Sequence, residues 1–237
     1  MRIAIIGYGK LGHEIEKAAI ERGHSIELII DKDNADELDS EHLESVDVAI
    51  EFTTPGTAVT NISTCLKSGI PVVSGTTGWL EQWDEMVRLC NEKGGALFYA
   101  SNYSIGVNIL FAVNTQLAEI MNDFPQYRVS MEEIHHVHKL DAPSGTAISL
   151  AEQIIEKSPA KKNWSLDTEN PDTIRIDAKR EGEVNGFHKI LYDSEVDTIE
   201  ISHNAKSRKG FANGAVMAAE FLAGKSGVFG MKDMLKL

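Results

Sequence analysis

After Met1 and Arg2 the run Ile3–Ile6 is wholly apolar and mostly β-branched, and it passes straight into Gly7, Gly9 and Gly12 of GYGKLG, which opens an amphipathic segment over residues 10–22. A strand, a GxGxxG turn and a helix, in that order, constrain the fold more than any other feature of the chain. Such spacing lets the turn close tightly, lets backbone approach a pyrophosphate and lets the helix pack on the strand, while the helix N-terminus offers N–H groups to the phosphates. Alone the pattern is weak, because glycines gather in any βα turn. Here Asp31 ends a second apolar run, Ser25–Ile30, at the distance past Gly12 where a dinucleotide fold places its ribose-binding carboxylate. Tyr8, Lys10 and Leu11 within the turn, and Lys32 beside Asp31, therefore join the three glycines and Asp31 as candidate cofactor-binding residues.

The alternation continues with an apolar run over 46–52, a helix from about 57 to 67 closed by Gly69, a strand over 71–74, a helix over 80–92 closed by Gly94, and a strand at Ala96–Tyr99. Strands this apolar, separated by helices, imply a parallel sheet covered on both faces, a Rossmann-type doubly wound α/β domain. Gly75-Thr76-Thr77-Gly78 and Ala100-Ser101-Asn102-Tyr103 each follow a strand, and so emerge at the carboxyl edge where open α/β sheets bind ligands. Small residues there allow close approach of a nicotinamide, although either segment alone reads equally well as an ordinary loop. After Gly106 a long helix (107–121), a strand (127–135) and a helix (144–156) lead to three alternating runs, 173–179, 188–192 and 198–203, with no helix between them. That order implies a second, α+β domain with an open antiparallel or mixed sheet. Residues 159–171 read as a polar surface loop, and a small-residue helix over 212–222 precedes Gly-rich turns and a short tail.

With 23 Lys plus Arg against 36 Asp plus Glu the net charge is −13, which repels phosphate backbones and anionic lipid. The expected partner is a small molecule, not nucleic acid or a membrane. Apolar runs such as 109–113 fall far short of the roughly 18 to 20 residues of a spanning helix, and the run ended by Gly7 is too short for a secretory core. The cytoplasm is the expected location. Cys65 and Cys90 have neither disulfide nor zinc-ligand spacing and read as buried small apolar residues.

The most informative stretch is residues 132–147, EEIHHVHKLDAPSGTA, with three of the chain's eight histidines. His135, His136 and Lys139 fall at a strand end and in the loop after it, and Ser144, Gly145 and Thr146 open a helix. Imidazoles, an ammonium and a helix N-terminus together suit a carboxylate-bearing ligand and acid catalysis. A polar loop ending in an N-cap is the plainer alternative. A metal site is not expected, because HHVH lacks the HExxH spacing and a partnering cysteine pair. His13, His24 and His42 read as surface residues, His188 and His203 as structural histidines, and Trp79, Trp83 and Trp164 as core or lid aromatics.

Taken together, GYGKLG, GTTG (75–78), SNYSIGVN (101–108), HHVHKLDAPSGTA (from His135), REGEVNGFH (180–188) and HNAKSRKGFANGA (203–215) closely resemble the dihydrodipicolinate reductase family. Lys10-Leu11 and Glu51 depart from its common Arg-Met pair and aspartate. The resemblance implies a dinucleotide-binding domain of residues 1–105 and 208–237, a substrate-binding and oligomerisation domain of residues 106–207, and a homotetramer, and the two-domain layout suggests a hinge near Gly106 and Arg208. It implies NAD(P)H-dependent reduction of 4-hydroxy-tetrahydrodipicolinate in lysine and diaminopimelate biosynthesis. His135 would be the proton donor with Lys139 assisting, and His136, Lys139, Gly145 and Thr146 would hold the substrate. Asp31 favours NADH, and Lys32 leaves NADPH use open. Two rivals share the first domain: a dehydrogenase acting on an amino-acid semialdehyde, and a non-catalytic redox sensor.

Overall fold

The computed structural model describes residues 1–168 and 170–237, which divide into two compact units, Met1–Ile105 with Arg208–Leu237 and Gly106–Ser207. The first unit opens with strand β1 (Arg2–Ile6), helix α1 (Lys10–Glu21) and strand β2 (Ser25–Ile30). Two short 3-10 turns lead to β3 (Val48–Glu51), α2 (Pro55–Lys67), β4 (Val72–Ser74), α3 (Trp83–Lys93) and β5 (Ala96–Tyr99). Pro55 sits in the first turn of α2, where its missing N–H has no intrahelical partner to lose. Leu80–Gln82, expected as the start of α3, forms a separate 3-10 turn.

The chain continues through α4 (Ile105–Met121), β6 (Arg128–His135), α5 (Gly145–Lys157), β7 (Asn163–Ser165), β8 (Thr173–Arg180), β9 (Phe187–Asp193) and β10 (Thr198–Asn204). It ends with α6 (Lys209–Leu222), β11 (Gly227–Phe229) and α7 (Met231–Leu235). Among the described residues the first sheet runs β11-β5-β4-β3-β1-β2, all parallel, and the second runs β10-β9-β6-β8-β7 with both parallel and antiparallel pairs. The α/β sheet with a second mixed sheet is the architecture expected from the sequence.

Two segments differ. Residues 163–165, inside the expected surface loop, add an edge strand parallel to β8, and residues 227–229, inside the expected tail, add a sixth strand beside β5. Three residues carry too little periodicity to announce a strand, and backbone pairing alone makes them one. Apolar clusters cover both faces of the first sheet, one containing Ile3, Ile5 and Val216 and the other Ile6, Ile62 and Trp79. Burial on both sides explains why β1, β3 and β4 carry a single polar residue each, at a strand end. Cys65 and Cys90 are buried, and burial pushes the Cys65 thiol up to about 12. In the second unit α4 and α5 pack on one sheet face through Leu110, Leu150 and Ile154 against Met131, Ile176 and Ile190. Among the described residues no helix is long and apolar enough to cross a membrane.

Candidate active site

In the first unit the strand order reverses between β1 and β3, and the loops at their carboxyl ends meet there. Gly7 has φ +94°, and a Cβ on it would lie 2.0 Å from the carbonyl oxygen of Phe52, the residue after β3. A Cβ on Gly12 would lie 2.4 Å from the Gly7 oxygen, whereas nothing lies within 4 Å of one placed on Gly9. Two glycines therefore let backbone segments close on one another, and the middle one leaves open space at the N-terminus of α1. Tyr8 donates to Glu16 and lies tilted against His13, 4.0 Å between ring centres. Lys10 is exposed and Leu11 half-buried. Asp31 and Lys32 are exposed just past β2, in a turn held by Asn34, whose Oδ1 accepts from the Asp31 N–H at 2.8 Å and whose amide donates to Glu37 at 2.9 Å.

Gly75, Thr76 and Thr77 follow β4. The Thr76 hydroxyl donates to Glu51 at 2.8 Å and accepts from the Thr53 N–H at 2.7 Å, and the Trp79 indole donates to the Thr76 carbonyl at 2.7 Å. Glu51 is fully buried and also accepts from the hydroxyls of Ser74, at 2.6 Å, and Thr53. Trp79 is thus a core residue that braces this loop, with Trp83 half-buried against it. After β5, Ala100 is buried, Ser101 exposed, and Asn102 accepts from the Ser104 N–H at 2.9 Å. Tyr103 is buried, with its hydroxyl donating to the Ser74 carbonyl at 2.7 Å. Its ring belongs to the core of this loop cluster.

In the second unit the period of two along β6 sets Val129, Met131, Glu133 and His135 on the buried face. The first two join the apolar core, and the last two bring charge to its end. Register supplies their neighbours: His135 lies opposite Arg180 of β8, and Glu133 opposite His188 of β9. His135 Nδ1 lies 2.9 Å from Glu133 Oε2, off the axis of an aligned hydrogen bond, and neither atom makes a hydrogen bond elsewhere. Arg180 donates to the other oxygen of Glu133 at 3.1 Å. Burial would raise the Glu133 carboxyl, but His135, Ser144 and Arg180 outweigh it and hold it at about 2. His188 is pushed down to about 4, first by burial and then by the positive field of His135, so it stays neutral.

Ser144 caps α5, its hydroxyl accepting from the Ala147 N–H at 3.2 Å and lying 3.0 Å from His188 Nε2. Gly145 is exposed with nothing within 4 Å of an added Cβ, and Thr146 is half-buried. The first N–H groups of a helix lack intrahelical acceptors and suit a carboxylate. The Lys139 ammonium donates to both oxygens of Asp141 at 2.8 Å, His136 is half-buried, and His138 is exposed beside Glu183. Sequence reading missed Glu133 and Arg180, and took His188 for a purely structural residue. The available signal was a glutamate two residues before His135 in a strand, which period two sets on the same face. Glu133, His135 and His188 offer atoms within 4.8 Å of one another, but Arg180 already supplies positive charge to the carboxylate.

Comparison with known proteins is consistent over the whole chain. The family model described as dihydrodipicolinate reductase, N-terminus, matches residues 1–103, and that described as dihydrodipicolinate reductase, C-terminus, matches residues 106–235. A 4-hydroxy-tetrahydrodipicolinate reductase of Christiangramia forsetii is 50% identical over 237 residues, covering 99% of this chain and 98% of the relative. Another, from Lawsonia intracellularis, is 34% identical over 94% of this chain and 93% of its own. The solved structure of a dipicolinate-bound dihydrodipicolinate reductase from Paenisporosarcina sp. TG-14 superposes with a TM-score of 0.79 at 25% identity, covering 98% of each chain. Sequence, family models and fold agree, and the chain belongs to the dihydrodipicolinate reductase family of oxidoreductases.

Proposed function

We propose that this chain reduces 4-hydroxy-tetrahydrodipicolinate, a cyclic imine with two carboxylates, to tetrahydrodipicolinate, and that His135 gives the proton completing the reduction. The observation that carries this reading is the buried imidazole of His135 beside the buried, ionised Glu133, at the same end of the sheet as the capped start of α5. Once the 4-hydroxyl has left as water, hydride addition at C4 of the resulting conjugated imine leaves an electron-rich enamine that must be protonated on carbon. An imidazole can hold that proton near neutral pH, and Lys139 can assist its delivery and stabilise charge. Gly145 and Thr146 offer the helix start to one substrate carboxylate, with His136 and Lys139 beside it. The name of the Paenisporosarcina protein, which binds dipicolinate, supports a planar dicarboxylate as the ligand class.

For the cofactor, the open space at Gly9 and the closures at Gly7 and Gly12 fit a pyrophosphate at the start of α1. A reduced nicotinamide, when bound, supplies the hydride. The residues around Gly7 to Gly12, Gly75 to Thr77 and Ala100 to Tyr103 bind and orient it, with Asp31 and Lys32 at the ribose. Asp31 accepts from ribose hydroxyls but repels a 2′-phosphate. Lys32 opposes that repulsion without the planar fork that lets arginine grip phosphate bidentately. NADH is therefore expected to serve at least as well as NADPH, and Asp31→Ala should shift the kcat/KM ratio towards NADPH. Generating the imine in place and following NADH and NADPH oxidation separately tests both substrate and cofactor. Turnover of an amino-acid semialdehyde but not the imine overturns the substrate. A wild-type NADPH preference of tenfold, about 1.4 kcal/mol, overturns the cofactor reading. The homotetramer implied by the family resemblance and the cytoplasmic location expected from the sequence belong to the same reading.

Arg180 on Glu133 argues that no divalent ion takes part. Activity is expected to survive exhaustive chelation. Its loss, with recovery on adding one particular divalent ion, would reverse that expectation.

A further inference from the structure

We infer that Glu133 is a positioning residue for the reduction: its carboxylate holds the His135 ring in the orientation and charge state from which the proton is delivered. The inference rests on the proton-donor reading of His135 given above.

Glu133 is fully buried, and a charge in that position is costly unless it is compensated. Three elements converge on it. Strand β8 brings Arg180, 3.1 Å from one oxygen; β6 itself brings His135, 2.9 Å from the other; and β9 brings His188, whose Nε2 lies 3.9 Å from that second oxygen. Ser144, at the start of α5, also helps to keep the carboxyl ionised. Arg180 is in turn anchored by donating to the carbonyls of Lys179, at 2.7 Å, and Asp141, at 2.5 Å. Arg180 therefore fixes the carboxylate through one oxygen, and the other lies nearer to His135 than to His188.

The other edge of the His135 ring faces Gly186, where an added Cβ would lie 3.1 Å from Nε2. A side chain there would crowd the nitrogen opposite Glu133. With Nδ1 against the carboxylate, Nε2 is the nitrogen left to deliver a proton, the division of labour of an imidazole oriented by a carboxylate. Around His135 the charged and titratable groups are Glu133 on its own strand, Arg180 on β8, His188 on β9 with His203 of β10 behind it, and Lys139 in the loop that follows. Glu133 is the negative one among these. One of its oxygens lies 2.9 Å from His135 Nδ1, the only carboxylate contact of that ring among the described residues.

The test is a double-mutant cycle of Glu133→Gln and His135→Gln, read by kcat, KM, dipicolinate affinity and the pH profile. Glu133→Gln is expected to lower kcat about 10²-fold while KM and dipicolinate affinity stay within about threefold. The alkaline limb of its activity profile should move to lower pH, since the charge that favours the protonated ring is gone. Because Glu133 acts through His135, the double variant should be no slower than His135→Gln alone. Glu133→Asp keeps the buried charge should Glu133→Gln fold poorly, and withdraws it by about one carbon–carbon bond, ~1.5 Å; kcat should again fall with dipicolinate affinity kept. Wild-type kcat and pH profile in either folded variant, losses that multiply in the double variant, or joint loss of kcat and dipicolinate binding would each overturn the positioning role while leaving the donor intact. Near-normal turnover in His135→Gln is the separate result that removes the donor, and with it the need for a positioner.

Discussion

His135→Gln is expected to lower kcat by roughly 10² to 10⁴, the usual contribution of a general acid, with cofactor affinity nearly unchanged. Glutamine fills similar space and keeps a polar end, but its amide has no proton to give at neutral pH. The effect should fall on kcat because His135 is buried and held by Glu133, so truncating its chemistry leaves the packing of β6 against β8 and β9 in place. Cofactor affinity should hold because the glycine turn belongs to the other compact unit. Steady-state kinetics with the imine generated in place, beside a fluorescence titration with NADH, separates the two quantities. Near-normal turnover would take His135 out of the mechanism.

Gly214→Ala is expected to destabilise the protein strongly. Two effects oppose each other there. Alanine inside a helix is favoured over glycine by about 1 kcal/mol, and Gly214 lies inside α6. Yet a Cβ at this position would lie 1.8 Å from the carbonyl oxygen of Tyr103 and 2.8 Å from its carbonyl carbon. Those are backbone atoms, tied down because Tyr103 is buried and its hydroxyl donates to Ser74, so no side-chain rotation relieves the contact. Overpacking of well-packed positions costs about 1 to 3 kcal/mol and more when backbone must move, so the clash wins. A net loss of about 2 kcal/mol corresponds to a Tm lower by roughly 4 to 8 °C in a chain of this size. Thermal unfolding followed by circular dichroism measures it, and a Tm equal to or above wild type would show that α6 moves aside freely.

Much of the first unit was legible because its instructions are local. The helix-stop glycines Gly23, Gly69 and Gly94 have φ of +83°, +74° and +61°, a backbone region that glycine enters without penalty, and they follow α1, α2 and α3 where the periodicity ends. The turn from Gly7 to Gly12 likewise lies within six consecutive residues, so spacing alone can reveal a cradle for phosphates. His135 and the start of α5 were legible for the same reason, since one short stretch holds both.

The groups that compensate the Glu133 carboxylate beside His135 were not, because they are remote in sequence. Arg180 and Glu133 are 47 residues apart, and Ser144 and His188 are 44 apart. Which strand lies beside β6, and in what register, decides whether a histidine on β9 reaches the cluster or is simply a core residue. A shift of one residue would turn His188 to the opposite face. The same holds for β7 and β11, whose three residues become strands only where β8 and β5 offer an open edge. By itself the sequence determined the alternation of elements, the glycine turn and the presence of an imidazole beside a helix start, all properties of contiguous residues. The tertiary structure alone decided the charge and orientation of that imidazole, because these depend on a buried carboxylate whose compensation comes from another strand.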